Sequence, residues 1–419
     1  MFESFFPKPR MFLLTGFLWS AVVVSVWYSY GSSIGNYLGF ELILSADSPV
    51  IGLGHFYTDE MLWFYLYFFI VYGVFSCSWF LLEPHPFQKW SIVGSGIIIF
   101  ATFYIVQVSV AINNWRRPFF DLVQNALGES ELSAVEILSE LYRLIGIFAA
   151  IALVYIVLFV INRFFVQHYI FRWRAAMHGF YMARWGRLRH IEGASQRIQE
   201  DTMRFANIME NLGVAFVDAA MTLFAFLPIL WGLSQYVSEL PLVGEIPKPL
   251  FSAVIFWALF GTGLLAIVGI KLPGLEFRNQ RVEAALRKEL VHGEDNIERA
   301  KPPTIIDLFT DVKNNYFRLY FHYLYFNIAR SFYLQADNIF GYFILVPTIA
   351  LGKITFGILQ QILTALGQVS NSFQFIVNSW PTIIELISIY KRLEAFEATL
   401  SGKELSNIDN EWISKKSQK

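Results

Sequence analysis

The 419 residues carry 55% hydrophobic and 18% aromatic side chains, only 16% charged ones, and a mean hydropathy of +0.47. That leaves too little polar side chain to cover a water-soluble globule, so a soluble enzyme or soluble binding module is excluded. The formal net charge of −1 supplies no basic face and argues against nucleic acid as a partner.

Charge-free runs long enough to cross a hydrocarbon core, which takes about 20 helical residues, fall at 11–28, 61–82, 90–115, 144–162, 219–238, 249–270, 338–352 and 354–384. Lys8 and Arg10 precede the first run as in a signal peptide, but the run is long and aromatic and no small-x-small site follows, so it is expected to be retained. Trp19, Trp27 and Tyr28 favour an interface, and two placements stand open for this run, crossing or lying flat. Cys77, the single cysteine, is expected to be a small buried hydrophobe. If every run crosses, one side holds 1–10, 83–89, 163–218, 271–337 and 385–419. The other side then keeps only Arg116, Arg117, Arg143, Lys248 and Lys353 of the 32 Lys and Arg. The positive-inside rule makes the basic side, and the C-terminus with it, cytoplasmic.

The cytoplasmic segments read as helices that continue past the bilayer. Thr304 with Asp307, after Pro302 and Pro303, resembles a helix start of capping-box type. From there to about Leu345 only Gly341 interrupts, which gives a helix of roughly 60 Å. The segments 144–185 and 197–235 suggest the same construction. In the sixth run Gly261, Gly263 and Gly269 lead to Pro273 and Gly274, a hinge on one reading and a simple bend at the membrane exit on the other.

No G-x-x-x-x-G-K-[ST] occurs, since Gly352-Lys353 is followed by Ile354 and Gly402-Lys403 by Glu404, and no ATP-hydrolysing domain is expected in this polypeptide. H-E-x-x-H and G-x-S-x-G are absent, and His168, His178 and His190 read as interfacial or solvated. Nothing calls for a metal or other cofactor, and an enzyme is not expected. Acids near the membrane are the notable chemistry. Glu276 and Glu283 stand two helical turns apart, within about 20° of one face and about 10 Å along it. Glu200, Glu210 and Asp218 lead into the fifth run, with Glu192 in the turn ahead. Carboxylates beside a low-dielectric cavity have raised pKa values and can exchange protons near neutral pH. The bland alternative is ordinary ion pairing, Glu283 with Arg287 and Asp201 with Arg204 on helix surfaces. Asp337 with Arg330 is a further structural pair, and Glu385 can balance Lys391 or Arg392.

The strings LRHIEGASQRIQEDTMRFA (188–206), GTGLLAIVGIKLPGLEFRNQRVEAALRKELVHGED (261–295) and NYFRLYFHYLYFNIAR (315–330) resemble the SbmA/BacA family of bacterial peptide transporters, closest to its BacA branch from nodule symbionts. Shorter pieces, FFPKPR (5–10), FVQHYIFRWRAAM (165–177), QADNIFG (335–341), SFQFIVNSW (372–380) and IYKRLEAFE (389–397), extend the likeness over nearly the whole chain. The resemblance implies an all-α integral membrane protein of the bacterial inner membrane, a homodimer whose six-helix core is that of an ABC exporter without a nucleotide-binding domain. It divides the chain into an N-terminal lateral or membrane-embedded segment (1–60), an extra transmembrane helix (61–89), the exporter-like domain (90–398) and a cytoplasmic tail (399–419). In the family's arrangement 11–28 is lateral, with seven crossings and a periplasmic N-terminus. The implied activity is proton-driven import of peptides by alternating access, among them antimicrobial, proline-rich, bleomycin-like and cationic nodule-type peptides. Glu192, Glu200, Glu210, Glu276, Glu283 and Glu289 match the family's proton-handling carboxylates, and Asp218 receives no such role. The alternative is the membrane half of an ABC transporter with a separately encoded ATPase, moving very-long-chain acyl groups; a membrane-lipid enzyme or a receptor stands further off.

Overall fold

The computed structural model describes residues 1–398 except 43–49, 129–132, 190–193, 238, 242 and 296–301. Glu192, His190 and the tail from 399 therefore lie outside the described residues. The long helices are α1 (Pro9–Tyr37), α2 (Asp59–Leu82), α3 (Lys89–Leu127), α4 (Ala134–Met182), α5 (Ala194–Tyr236), α6 (Pro249–Gly269), α7 (Leu272–Asp295), α8 (Pro302–Ala350), α9 (Phe356–Asn378) and α10 (Trp380–Ala398). The described residues form no β-strand, only an isolated bridge between Leu240 and Gly244. The fold is that of an all-α integral membrane protein. After α1 and α2, the six long helical segments α3, α4, α5, α6–α7, α8 and α9–α10 make the ABC-exporter-like core expected from the sequence.

Among the described residues six helical stretches are long and apolar enough to cross a membrane: α1, α2, α3, α4, α5 and α6 continuing into α7. Their large apolar side chains face outward, with Phe17 73%, Phe256 70% and Ile267 74% exposed. Polar residues such as Asn113 and Gln361 are buried instead. This inside-out distribution is what a surface facing lipid requires. The runs 338–352 and 354–384 do form helices, α8 and α9, but these are not apolar enough to stand among the six. Absence of charge did not reveal the polarity of α9. Its Gln361, Ser370, Ser372 and Gln374 turn inward and are buried.

The chain forms two compact units, the first comprising Met1–Gly232, Thr355–Ala365 and the segment from Glu385, the second Leu233–Ile354 and Leu366–Ile384. In the first unit α1 runs antiparallel to α2 along its whole length. Lys8 pairs with Glu83 at 2.6 Å, Trp19 donates to the Val71 carbonyl, Tyr67 to Val23 and Trp63 to Gly31. Phe2 meets Trp173, Phe205 and Tyr390, and Phe5 stacks on Trp173 with centroids 5.6 Å apart. An aromatic cluster buries Phe5, Phe6 and Phe12 against α4 and α2.

Elsewhere in this unit a capping box between Ser133 and Glu136 starts α4, and Trp115 ties α3 to it by donating to the Leu144 carbonyl at 2.8 Å. The first N–H groups of α9 are met by Gln124 and Asp121 of α3, the latter taking the Gly357 N–H at 2.8 Å. Cys77 is exposed on α2, not buried as expected. Helix α2 is apolar all round, so an apolar residue on it need not face protein.

In the second unit α6 and α7 together run antiparallel to α8. Trp257 meets Phe340, Gly261 meets Tyr333, Gly269 meets Phe326, Glu276 meets Tyr323 and Asn279 meets Asn315. Leu272, Leu275 and Leu319 bury the seam. Helix α8 starts at Pro302 rather than Thr304, since proline lacks only an N–H that a first turn leaves unpaired anyway. Its 49 residues span about 74 Å at the usual rise.

Candidate functional site

Two turns of α5, Arg197–Asp201 and Met209–Gly213, are π-helical. Each carries a sequence-predicted acid, Glu200 in the first and Glu210 in the second. Such turns add a residue to the helix, leave backbone groups less regularly paired and recur at functional sites. In the first, Glu200 is fixed by its surroundings. It pairs with Arg204 at 2.7 Å and accepts from the Gln196 amide at 3.0 Å. The expected Asp201–Arg204 pair does not form, since Arg204 is taken by Glu200. The buried Asp201 carboxylate instead receives a two-pronged contact from Arg392, at 2.8 and 3.1 Å. Glu385, expected to balance Lys391 or Arg392, lies 3.8 Å from Arg204. Glu210 sits half-buried in the second turn.

On α7 the chemistry differs. Glu276 accepts a hydrogen bond from the Tyr323 hydroxyl of α8 at 2.9 Å, and both side chains are half-buried. Burial first, then the bond to Glu276 and its charge, push the Tyr323 hydroxyl up to about 12, so it remains a neutral donor throughout the physiological range. One turn on, the buried Asn315 amide donates to Asn279 at 3.1 Å and fixes the two helices in register at this level. Glu283 and Glu289 follow half-buried along α7. The expected Glu283–Arg287 ion pair is not formed among the described residues, for Arg287 points into solvent while Glu283 is half-covered. A carboxylate held by a neutral hydroxyl can take a proton without breaking an ion pair, and that is the chemical capacity of Glu276.

Pro273 and Gly274 lie at the junction of α6 and α7, where Ile270 and Lys271 interrupt the helix. Pro273 is the second residue of α7, where its missing N–H costs nothing. The junction is thus made by chain chemistry, and α8 spans both sides of it. Asp337 is the other departure from expectation. It does not pair with Arg330, whose Nε is buried without a partner. Asp337 accepts instead from the Trp257 indole at 2.7 Å and the Gln374 amide at 3.4 Å. Among the described residues no three His, Cys, Asp or Glu side chains are grouped to hold a metal ion.

The SbmA/BacA-like family matches residues 84–401, a span that contains α5, α7 and α8 with the acids just described. The chain belongs to that family. It is also similar to the inner membrane ABC transporter ATP-binding protein YddA of Escherichia coli (strain K12), 25% identical over 75% of this chain and 59% of that protein. A second relative is ABC transporter D family member 2, chloroplastic, of Arabidopsis thaliana, 22% identical over 58% of this chain and 35% of that protein. The chain thus spans well under two thirds of either relative. Family and relatives together make it a multi-pass membrane transporter protein of ABC-like build. Sequence reasoning missed the π turns, which have no residue signature here. It also missed the neutral partners of Asp337, which lie far away in the chain.

Proposed function

We propose that the chain is a secondary transporter of the bacterial inner membrane that imports peptides, driven by the proton gradient and working as a homodimer by alternating access, with its C-terminus in the cytoplasm. Glu276 is the proton-handling acid on which this reading chiefly rests, and Glu210, Glu283 and Glu289 extend the path along α5 and α7. The observation that carries it is the Glu276–Tyr323 contact, an acid beside a membrane-crossing helix paired with a hydroxyl and not with a cation. Family membership supports the transport role. Its acids give cationic peptides an electrostatic reason to enter. Pro273 and Gly274 serve as the hinge, since the helix is already broken there. The test is peptide uptake into proteoliposomes under an imposed pH gradient. Accumulation should appear with the gradient and vanish when it is dissipated; equal accumulation in both conditions would overturn the proton-driven reading.

A second reading has one specific observation behind it, the similarity to YddA, whose printed name is that of an ATP-binding protein. In it the chain is the membrane half of an ABC system that recruits a separate ATPase. Copurification of an ATPase and vanadate-sensitive uptake would replace the first reading with this one.

A further inference from the structure

We propose that Asp337 is a second proton-binding carboxylate of this transporter, set at the mid-depth of the membrane-crossing helix α6 and distinct from the Glu276 region. The inference rests on the proton-coupled reading above and adds a site to it.

The depth follows from its partner. Trp257, whose indole N–H donates to Asp337 at 2.7 Å, is the ninth residue of the 21-residue α6. At the usual rise that is about 12 Å from one end of α6 and about 18 Å from the other, and a hydrocarbon core is about 30 Å thick. The Asp337 carboxylate is therefore level with the middle of a crossing helix. An ionisable side chain at such a depth is costly, and it marks an ion or proton pathway unless a cation offsets it.

No such cation faces it. Helix α6 and helix α9, which supply its two hydrogen-bond donors, contain no Asp, Glu, Lys, Arg or His at all. On α8 itself the titratable neighbours are Tyr333, one turn back, and Arg330, two turns back. The contacts to Asp337 come from a neutral indole and from the buried Gln374 amide. The cradle is rigid. Trp257 is stacked between Phe340, at 4.2 Å, and Tyr333, at 5.5 Å. Gly261, one turn further along α6, leaves the space that the Tyr333 ring occupies.

The chemistry balances with a single proton. In the ionised state both oxygens accept, one from Trp257 and one from Gln374. On protonation one oxygen becomes a donor, and an acceptor is at hand. The buried Tyr333 hydroxyl lies beside Asp337 and Gln374, and with two lone pairs its oxygen can receive that proton even with the Gln374 amide close by. The local charge changes from one negative to none while the same side chains stay in place. Because the donors come from α6 and α9, gain of the proton weakens the hold of α8 on both helices. Proton binding is thereby linked to helix packing at mid-membrane.

Infrared difference spectroscopy of the purified protein in liposomes, stepped from alkaline to acidic pH, tests this directly. Protonated-carboxyl absorption should grow in wild type, and one component of it, a band isolated by subtracting the Asp337→Asn spectrum, should belong to Asp337. Trp257→Phe removes a donor that favours the ionised form, so it should move the midpoint of that band to higher pH. Absorption in Asp337→Asn that matches wild type with no component lost, or an unmoved midpoint of that component in Trp257→Phe, would overturn the assignment. If Asp337→Asn fails to assemble, Asp337→Glu serves in its place, and the band must then shift in frequency; an unshifted band overturns the assignment. Uptake in the same liposomes separates the two claims. Wild-type uptake indifferent to the gradient defeats the coupled reading, with the band still reporting on Asp337. Gradient-driven uptake in wild type, matched by Asp337→Asn in both uptake and band, defeats the Asp337 site alone.

Discussion

Two acids in one unit of this chain and two in the other keep partners of opposite kinds. In the first, the buried Asp201 is met by the guanidinium of Arg392, and Glu200 by Arg204. In the second, Glu276 leans on a tyrosine hydroxyl and Asp337 on an indole and an amide. A cation beside a carboxylate favours its charged form and ties it to a fixed partner. A neutral donor stabilises the anion less and releases it more readily. Of the first kind, Asp201 ties α5 to α10, whereas Glu200 pairs within α5; on the proposed reading the second kind are the acids that exchange protons, which places Glu276 ahead of Glu200.

Removing the cation from the first unit is the harshest way to probe this contrast. Arg392→Ala leaves Asp201 buried and unpaired, and unfolding in detergent should show a loss on the order of 3 kcal/mol, the scale of a broken buried pair. Adding Asp201→Asn to that variant should recover much of the loss. Gly261→Val in the second unit places a side chain where the Tyr333 ring lies. Overpacking of this kind costs about 1–3 kcal/mol, whereas Gly263→Ala, with open space around it, should cost far less. Tyr323→Phe removes a single hydrogen bond to Glu276, about 1 kcal/mol in stability, but it should shift the pH dependence of uptake, which the Arg392 variants should not. The smallest effect belongs to His55, which shares a 3.2 Å hydrogen bond with Gln107. Burial holds its ring below the ordinary 6.5, against the opposing pull of Gln107 and then Glu60. The unfolded chain therefore binds this proton more readily, and stability should fall as the pH drops below about 6.5. Melting curves of wild type and His55→Gln across that range should converge at higher pH and separate below it.

Much of this was legible in the sequence. Six of the apolar helices, the unbroken length of α4, α5 and α8, and the break near Pro273 all follow from local pattern: apolar length, absence of helix breakers, and a proline where a helix can begin. What stayed hidden depends on partners distant in the chain. Asp201 had Arg204 as an obvious neighbour, yet Arg204 pairs with Glu200 and Asp201 meets Arg392 on α10. Asp337 had Arg330 two turns away, yet tertiary packing gave it Trp257 and Gln374. The placement of α1 was undecidable from its own composition, since aromatic residues suit both an interface and a helix seam. What composition could not show is its pairing with α2, made by the rungs of Trp19, Tyr67 and Trp63.

The difference between the two kinds of acid is tested most directly by comparing Glu276→Gln with Glu200→Gln in gradient-driven peptide uptake by the same proteoliposomes. Glu276→Gln should lose accumulation while Glu200→Gln keeps its dependence on the gradient. The reverse order, or equal loss in both, would contradict the view that neutral partners mark the carboxylates that carry protons.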